Sequence, residues 1–360
     1  TFMFEFPNMK PLTRYNWAKE AFLHTSKYDT EIFNYFNNYP NLPLKYGMNP
    51  HQSPAFVNTN NAFEILNGNL GYINVLDCLH GWLMAYEIYK VSGKITYTSM
   101  KHTSPAGLGI GTSINEKTLE IFGVSNEIIN SLTAGAIAFI KSRSCDPLSS
   151  FGDFICCSSI VDVPTARLIK REVCDGIAAV DFDPEVLEIL KSKKGGKFII
   201  IKMNTEYYTR TIKNGWVERK EIYGVSITQP YNNHIFNPKE HGLEYDDFDA
   251  IISYIILKYS QSNNVSMVYN GQLLGLGCGQ QNRVSCVKLA GEKALNWRLR
   301  HHDDVIEFYK SLSNNLKRQE KINSVYEFID KNKEKLCENI QQCQITLGSD
   351  GFFPFPDNIV

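Results

Sequence analysis

The sequence predicts an α/β protein, because a helix, a strand and a sharp turn follow one another twice along the chain. In the first block, apolar and aromatic residues recur at helical spacing over 75–89, and a β-rich run follows at 94–100. In the second block, helical spacing over 248–255 precedes a β segment at 265–269 and the hairpin signal Asn270-Gly271. At roughly 150 residues per domain, the 360 residues correspond to about two domains. The repeated block indicates a duplicated architecture.

Helix and turn signals occur both before the first block and at the end of its strand. Apolar residues over 15–36 predict two short amphipathic helices that meet around Tyr28, and the polar turn 37–43 separates them from the main fold. The strand of the first block runs into Lys101-His102, and we expect residues 105–107 (Pro-Ala-Gly) to form the turn that ends it. Two titratable side chains then stand at the carboxyl end of a strand, the edge at which layered α/β folds bind ligands.

A glycine-rich loop follows the second hairpin. Gly275, Gly277 and Gly279 precede a predicted helix that begins near Arg283. The loop is not a dinucleotide fingerprint, because Gln280 and the residues after it do not complete G-x-G-x-x-G. Two interpretations stay open for it: close packing of backbone without a ligand, or a helix N-terminus whose free amides attract the polar edge of a ligand.

Composition excludes several classes of protein. The net charge of −1, from 37 Lys and Arg against 38 Asp and Glu, gives no electrostatic footprint for nucleic acid. The nine cysteines include no C-x-x-C pair, so we expect neither a disulfide framework nor a zinc knuckle, and the compartment is expected to be reducing. The apolar stretch 250–257 is too short for a bilayer and no signal peptide is recognised, which predicts a cytoplasmic protein without membrane contact. The basic run 191–197 is interpreted as a solvated turn without function.

Two short motifs carry candidate chemistry. In Lys101-His102, an imidazole that titrates near neutrality can accept a proton, and the neighbouring ammonium can stabilise an oxyanion, a pair that suits acyl-type transfer. Surface decoration is the alternative for this pair. In the loop 45–52, Lys45 beside Tyr46 and several amide donors can hold a phosphate, although an ordinary turn is equally consistent with the sequence.

Taken together, seven ordered segments resemble the AICAR transformylase part of the bifunctional AICAR transformylase/IMP cyclohydrolase family of purine biosynthesis. The resemblance runs from about residue 21 to residue 360. The segments are 45–52 (KYGMNPHQ), 101–107 (KHTSPAG), 149–154 (SSFGDF), 171–176 (REVCDG), 270–283, 289–302 and 349–358 (SDGFFPFPDN).

The resemblance implies transfer of a formyl group from 10-formyltetrahydrofolate to the 5-amino group of AICAR, which gives FAICAR and tetrahydrofolate. It implies that His102 is the proton acceptor and that Lys101 stabilises the transition state, without a catalytic metal. The nucleotide contacts that it implies are Lys45, Tyr46, His102, Gly152, Asp175 and Asn270. The folate contacts that it implies are Arg283, Val284, Phe352 and Asp357.

The resemblance also implies an architecture. The family is built from two tandem cytidine-deaminase-like units, each a three-layer α/β/α sandwich, which we place at 41–200 and 201–360 after a helical linker at 1–40. It forms homodimers whose sites combine residues of both subunits. A cyclohydrolase domain precedes this region in the family and a basic tail follows it, so we expect these residues to be a C-terminally truncated fragment of a longer bifunctional parent.

Two residues depart from the family pattern, and two other functions compete with formyl transfer. Lys45 and Pro356 stand where the family usually has Arg, and at position 45 this replaces a bidentate phosphate contact with a point charge. A zinc nucleoside deaminase is disfavoured because none of the eight His is followed two places later by Glu. A folate- or nucleotide-binding module without catalysis remains an alternative.

Overall fold

The computed structural model describes residues 10–37, 42–124, 129–242, 244, 247–338, 340 and 343–353. Contacts divide the chain into two compact units. One comprises Thr1–Pro43 with Phe56–Asn60, and the other comprises Leu44–Ala55 with Asn61–Val360.

Among its described residues, the first unit contains one long helix, α1 (Pro11–Asn37). The sequence predicts two short helices in this stretch, and that prediction is wrong. Neither Gly nor Pro interrupts residues 12–37, so the backbone continues through the junction expected at Tyr28. Around Tyr28, Thr30 Oγ1 donates a hydrogen bond of 2.7 Å to the carbonyl of Ser26 in the preceding helical turn, and the helix stays intact. Strands β1 (Leu42–Leu44) and β2 (Ala55–Val57) follow and pair with each other.

The larger unit is built around a nine-stranded mixed sheet, which confirms the predicted α/β class. From one edge to the other, the sheet contains β15 (Thr346–Ser349), β13 (Asn264–Tyr269), β14 (Gln272–Cys278), β5 (Ser104–Ile110), β4 (Thr96–Lys101), β6 (Asp153–Cys157), β8 (Cys174–Ala179), β10 (Ile199–Met203) and β3 (Phe63–Asn67). Two short strands, β7 (Ile160–Val161) and β9 (Asp181–Phe182), pair separately, as do β11 (Val217–Ile222) and β12 (Val225–Pro230).

Helices connect these strands. They are α2 (Tyr72–Ser92), α3 (Glu116–Phe122), α4 (Ala134–Ser144), α5 (Val163–Arg171), α6 (Pro184–Lys191), α7 (Thr205–Lys213), α8 (Phe248–Tyr259), α9 (Arg283–Arg300), α10 (Asp303–Ser311) and α11 (Arg318–Glu338). None of these helices contains an apolar stretch of the length and hydropathy that a bilayer crossing requires.

The two halves of the sheet repeat one arrangement. Helix α2, hairpin β4–β5 and helix α4 occur in the same order as helix α8, hairpin β13–β14 and helix α9. Each hairpin has a two-residue turn and a register shift at the same place in its first strand, and each first strand has an antiparallel neighbour on its other side. The glycine pattern repeats as well, with GLGIG at 107–111 and GLGCG at 275–279. These similarities support the predicted duplication, while the cytidine-deaminase-like units and the boundary near residue 200 stay predictions.

Glycines let one helix approach each hairpin closely. A methyl group at Gly107 would lie 1.8 Å from the carbonyl oxygen of Ser142 in α4, and one at Gly277 would lie 2.1 Å from that of Cys286 in α9. Because no side chain fits between backbones at such separations, glycine is required at these positions. The glycine-rich loop expected after the second hairpin is therefore wrong for Gly275 and Gly277, which lie inside β14. Close backbone packing against α9 is the interpretation that holds for these two glycines.

The turn of the first hairpin differs from the prediction. Lys101 pairs with Ser104, so the turn consists of His102 and Thr103, and residues 105–107 lie inside β5 rather than in a loop. Pro105 is tolerated near the start of the strand because the register shift beside it interrupts the regular ladder, in which its missing N–H would otherwise be needed.

One large cluster of the core lies between the sheet and helices α4, α5 and α6. Tyr97, Phe139, Ile155 and Ile177 are fully buried there among apolar neighbours from the strands and these helices. Asp153 is a fully buried charged residue beside this cluster. Its carboxylate accepts a 2.6 Å hydrogen bond from Ser99 Oγ of β4 and pairs with Arg143 of α4.

We expect Gly277→Ala to destabilise the fold by about 3 kcal/mol or more, because the new methyl group overlaps the backbone of α9 and overpacking of this kind is costly. Gly291→Ala is the matched control on α9, the helix against which Gly277 packs, and the nearest atom to its new methyl group is Met267 Cε at 3.8 Å. Replacing a helical glycine where the methyl group meets no closer atom should stabilise by about 1 kcal/mol. Urea unfolding measures both changes, and equal stability of the two variants would contradict the packing argument.

Candidate functional site

A cleft of about 820 Å³ opens at the carboxyl end of β4. It brings together most of the residues that the sequence analysis selected for catalysis and nucleotide binding, namely Lys45, Tyr46, Lys101, His102, Gly152 and Asp175. Its wall also contains residues that the sequence analysis did not select, among them Asn74, Asp77, Thr103, Lys194 and Lys197. Four of these side chains are lysines and two are aspartates, so the cleft is suited to an anionic ligand.

The hairpin turn presents Lys101 and His102 to this cleft. His102 and Thr103 form a two-residue turn in which both φ angles are positive, at 51° and 64°. The corresponding turn of the second hairpin, Asn270 and Gly271, has φ angles of 49° and 69°. Asn-Gly is the preferred sequence for such a turn, whereas a β-branched threonine is strained in it. The strain is therefore stored next to the imidazole.

Asp77 of α2 holds this turn from the side of the helix. Its Oδ1 accepts a hydrogen bond of 2.6 Å from the backbone N–H of Thr103. The side chain is 4% exposed, and burial raises its pKa from 3.8 to about 6, although the contact with Thr103 and the neighbouring His102 lower it. Keeping the carboxylate ionised therefore costs about 3 kcal/mol. This cost accumulates between pH 3.8 and about 6 and stays constant at higher pH.

Lys101 lies against the segment that precedes β6. Its ammonium donates a hydrogen bond to the carbonyl of Phe151 and lies beside Gly152, where a methyl group would be 3.5 Å from Nζ. Gly152 has a φ of 74°, a conformation that favours glycine. The same segment is also held by Arg143, whose guanidinium donates a hydrogen bond of 2.8 Å to the carbonyl of Ser150. The ammonium is thus held at the rim of the cleft by main-chain atoms.

The loop that carries Lys45 and Tyr46 is ordered by its own hydrogen bonds. The amide of Gly47 donates to the carbonyl of Gln52 at 2.7 Å, and the amide of Asn49 donates to Gln52 Oε1 at 2.8 Å. Both Lys45 and Tyr46 remain exposed at the cleft. A cation and a phenol on a braced loop are groups that can bind a phosphate.

A second basic segment lies on the cleft wall. Lys194 forms an ion pair of 2.6 Å with Asp175, and Lys197 lies nearby. The sequence predicts a solvated turn without function for the run 191–197. Its lysines and glycines were the available signal, but the pairing of β8 with β10 is what brings Lys194 and Lys197 to the cleft that contains Lys101.

Asn270 lies in a different place. It lines a second cavity of about 240 Å³ together with Lys141, Trp297 and His301. Lys141 is 2% exposed, and its ammonium donates to the carbonyl of Asn270 at 2.6 Å and to Thr112 Oγ1 at 2.8 Å. Burial lowers the pKa of Lys141 to about 8. The described residues of one chain therefore do not place Asn270 in the cleft that contains His102.

The selected folate contacts form a separate group at the start of α9. Arg283 Nη2 pairs with Asp350 Oδ1 at 3.0 Å and also donates to Asn263 Oδ1 at 2.9 Å. A methyl group at Gly351 would lie 2.9 Å from the same guanidinium. Phe352 follows Gly351 and is 83% exposed, while Val284 is half-buried. Asp357 lies outside the described residues.

Comparison with known proteins identifies the family. Residues 5–293 match the family model described as the AICARFT/IMPCHase bienzyme. The chain is 29% identical over 300 residues to the bifunctional purine biosynthesis protein PurH of Clostridioides difficile (strain 630), which covers 76% of the chain and 53% of the relative. It is 30% identical over 308 residues to the protein of that name from Prochlorococcus marinus subsp. pastoris, which covers 77% of the chain and 54% of the relative.

A third relative, the bifunctional purine biosynthesis protein PurH of Natranaerobius thermophilus, is 29% identical over 303 residues, with 77% of the chain and 53% of the relative covered. The chain thus spans about half the length of the curated relatives that it matches. Because the family model covers most of its residues, the chain belongs to the AICARFT/IMPCHase bienzyme family.

Proposed function

We propose that this chain is the AICAR transformylase part of a purine biosynthesis enzyme, which transfers a formyl group from 10-formyltetrahydrofolate to AICAR to give FAICAR and tetrahydrofolate. Membership in the family supports this assignment. The observation that carries it is the placement of Lys101 and His102 together at the mouth of a lysine-rich cleft. Only the transformylase reaction is assigned to these residues, and IMP cyclohydrolase activity is proposed for the longer bifunctional parent.

The chemistry fits the two side chains. The 5-amino group of AICAR is a weak nucleophile, so it needs to lose a proton as its nitrogen bonds to the formyl carbon. In this proposal His102 accepts that proton, a role that contributes roughly 10²- to 10⁴-fold in other enzymes. Lys101 donates to the oxygen that gains negative charge during attack. The folate supplies the one-carbon unit, and the bond between the formyl carbon and the folate nitrogen breaks as His102 passes the proton to that folate nitrogen.

The remaining cleft residues fit a nucleotide. Lys45 and Tyr46, on their braced loop, are assigned to the phosphate of AICAR, and Lys194 and Lys197 add positive charge to the wall of the same cleft. Gly152 and Asp175 are assigned as further nucleotide contacts. Asp175 is available only as part of its ion pair with Lys194, which orients the carboxylate at the cleft.

The group around Arg283 fits the folate. A guanidinium beside an exposed aromatic ring is suited to a ligand that combines a planar heterocycle with carboxylates. The Nε of Arg283 is buried and has no hydrogen-bond partner among the described residues, which is consistent with a site whose polar contacts are incomplete. We assign Arg283, Val284 and Phe352 to the folate, with Asp357 added from the family resemblance.

A homodimer with shared sites is part of the proposal. Asn270 is assigned to the nucleotide, yet it lines a different cavity from His102. An arrangement in which Asn270 of one subunit reaches the cleft of another reconciles the two assignments. A single-turnover assay of formyl transfer that depends on AICAR tests the activity, and binding of both ligands without transfer would favour a non-catalytic module.

We expect His102→Ala and Lys101→Met to lose turnover by roughly 10²-fold or more while AICAR still binds, because each removes a group that acts in the transition state. Lys213→Met, an exposed lysine on α7 outside the cleft, is the control and should retain full activity. Steady-state kinetics and calorimetry with AICAR provide the measurements. Unchanged turnover in either cleft variant would refute its assigned role.

Lys45→Arg should tighten AICAR binding by about 1 kcal/mol, roughly fivefold, because a guanidinium can contact a phosphate through two hydrogen bonds at once. The control is Lys191→Arg on helix α6, which makes the same chemical change at an exposed position outside the cleft. Isothermal titration calorimetry measures the affinity of each variant for AICAR. Equal affinity of the wild type and Lys45→Arg would remove Lys45 from the phosphate site.

Arg283→Ala is expected to weaken binding of the folate substrate by roughly 10- to 100-fold, since a charged hydrogen bond contributes about 1.5–3 kcal/mol, and to leave AICAR binding nearly unchanged. Arg167→Ala, which removes an exposed arginine paired with Glu185, is the control. Separate titrations with each ligand distinguish the sites. A loss of AICAR affinity with normal folate binding would show that the two ligands are assigned to the wrong places.

A further inference from the structure

Asp77 is a buried carboxylate at the cleft to which neither the sequence motifs nor the proposed reaction assigns a role. It lies in the second turn of α2 and contacts the turn that carries His102. Thr103, the second residue of that turn, has a φ of 64° and donates its amide proton to Asp77 at 2.6 Å. Because a β-branched residue does not favour this conformation, the turn needs a restraint from outside the hairpin. Asp77 supplies one.

The second hairpin provides an internal comparison. Asp249, in the first turn of α8, accepts the amides of Asn270 at 2.8 Å and Gly271 at 2.6 Å. An aspartate from the preceding helix thus holds the turn in both halves of the sheet. In the second half the turn sequence is Asn-Gly, which adopts positive φ readily. In the first half the restraint is combined with His-Thr, so the aspartate there maintains a conformation that the turn residues themselves disfavour.

Of the charged groups near Asp77, His102 is the one that acts in the proposed reaction. Two charged groups act electrostatically on this carboxylate: His102 on the turn lowers the pKa of Asp77, and Asp153 at the start of β6 raises it. The thiol of Cys156 on β6 contacts the main-chain carbonyl of Asp77, and the neighbouring thiol of Cys78 is buried on α2 itself. Lys101 is directed toward the carbonyl of Phe151. His102 is therefore the titratable side chain of the turn that can gain directly from a negative charge on Asp77.

We propose that Asp77 is a positioning residue for His102, whose carboxylate both holds the strained turn and stabilises the imidazolium that forms when His102 accepts a proton. This inference rests on the proposed formyl transfer. In serine proteases an aspartate likewise stabilises the charged form of the histidine, there through a hydrogen bond to the ring, whereas the contact of Asp77 is with the backbone of the turn.

Two substitutions separate the hydrogen bond from the charge. Asp77→Asn keeps an oxygen that accepts the Thr103 amide but removes the negative charge, whereas Asp77→Ala removes both. The control is Asp162→Asn, which makes the same chemical change at the N-cap of α5, where Asp162 accepts the amide of Thr165 at 2.9 Å. Each protein is assayed for formyl transfer between about pH 5.5 and 8, with kcat and the KM for AICAR measured separately.

At about pH 8 we expect Asp77→Asn to lower kcat by roughly 10- to 100-fold, the usual effect of removing a residue that orients a functional group, with little change in KM. The ratio of wild-type to variant kcat should shrink as the pH falls through about 6, because the wild-type carboxyl group is then protonated and also uncharged. Asp77→Ala should lose more activity at every pH. A ratio that stays constant with pH, or a normal kcat in Asp77→Asn, would overturn the proposal.

A second measurement does not depend on activity. In NMR spectra of the wild-type protein, the amide resonance of Thr103 should shift with a midpoint near pH 6, and in Asp77→Asn this titration should be absent. An amide that does not titrate in the wild type would refute the contact between Asp77 and the turn. If the wild type transfers no formyl group at all, the proposed function fails, and the Thr103 titration still decides whether Asp77 controls the turn.

Discussion

The geometry of the site depends on the contacts made by the buried carboxylate of Asp153. It joins Ser99 of β4 to Arg143 of α4, and Arg143 in turn holds the carbonyl of Ser150. Removing one partner of such a buried ion pair typically costs about 3–5 kcal/mol, because the other charge is left without compensation. This contact therefore fixes β4 against the segment before β6, and that segment positions the ammonium of Lys101 at the rim of the cleft.

The site combines a rigid sheet with a strained turn. The nine-stranded sheet and the close backbone packing of its hairpins leave little freedom to the strand end that carries Lys101. At that end, the positive φ angles of His102 and Thr103 are retained even though the second hairpin shows that an Asn-Gly turn would fit the same place with less strain. In the proposed function, this strain and the burial of Asp77 are the energetic costs of presenting an imidazole to the substrate.

Much of the local structure was predictable because its causes lie close together in the chain. The helix of the first block, the strand that ends at Lys101 and the Asn270-Gly271 hairpin follow from periodicity and turn chemistry. Three local predictions were wrong. The glycine-rich loop was expected after the second hairpin, but Gly275 and Gly277 lie within β14. A junction was expected within α1 although no residue there ends a helix, and Pro105 was placed in a loop although a shift in strand register accommodates it.

The α/β class, the repeated blocks and the motif Lys101-His102 follow from the amino-acid order alone, because each depends on residues that are neighbours or stand at fixed short spacing. It is the folded chain that brings Asp77 to the turn, places Lys194 and Lys197 at the same cleft, and puts Asn270 in the lining of another cavity. These relations join residues on different helices and strands. They arise from sheet pairing and helix packing, which local sequence patterns do not encode.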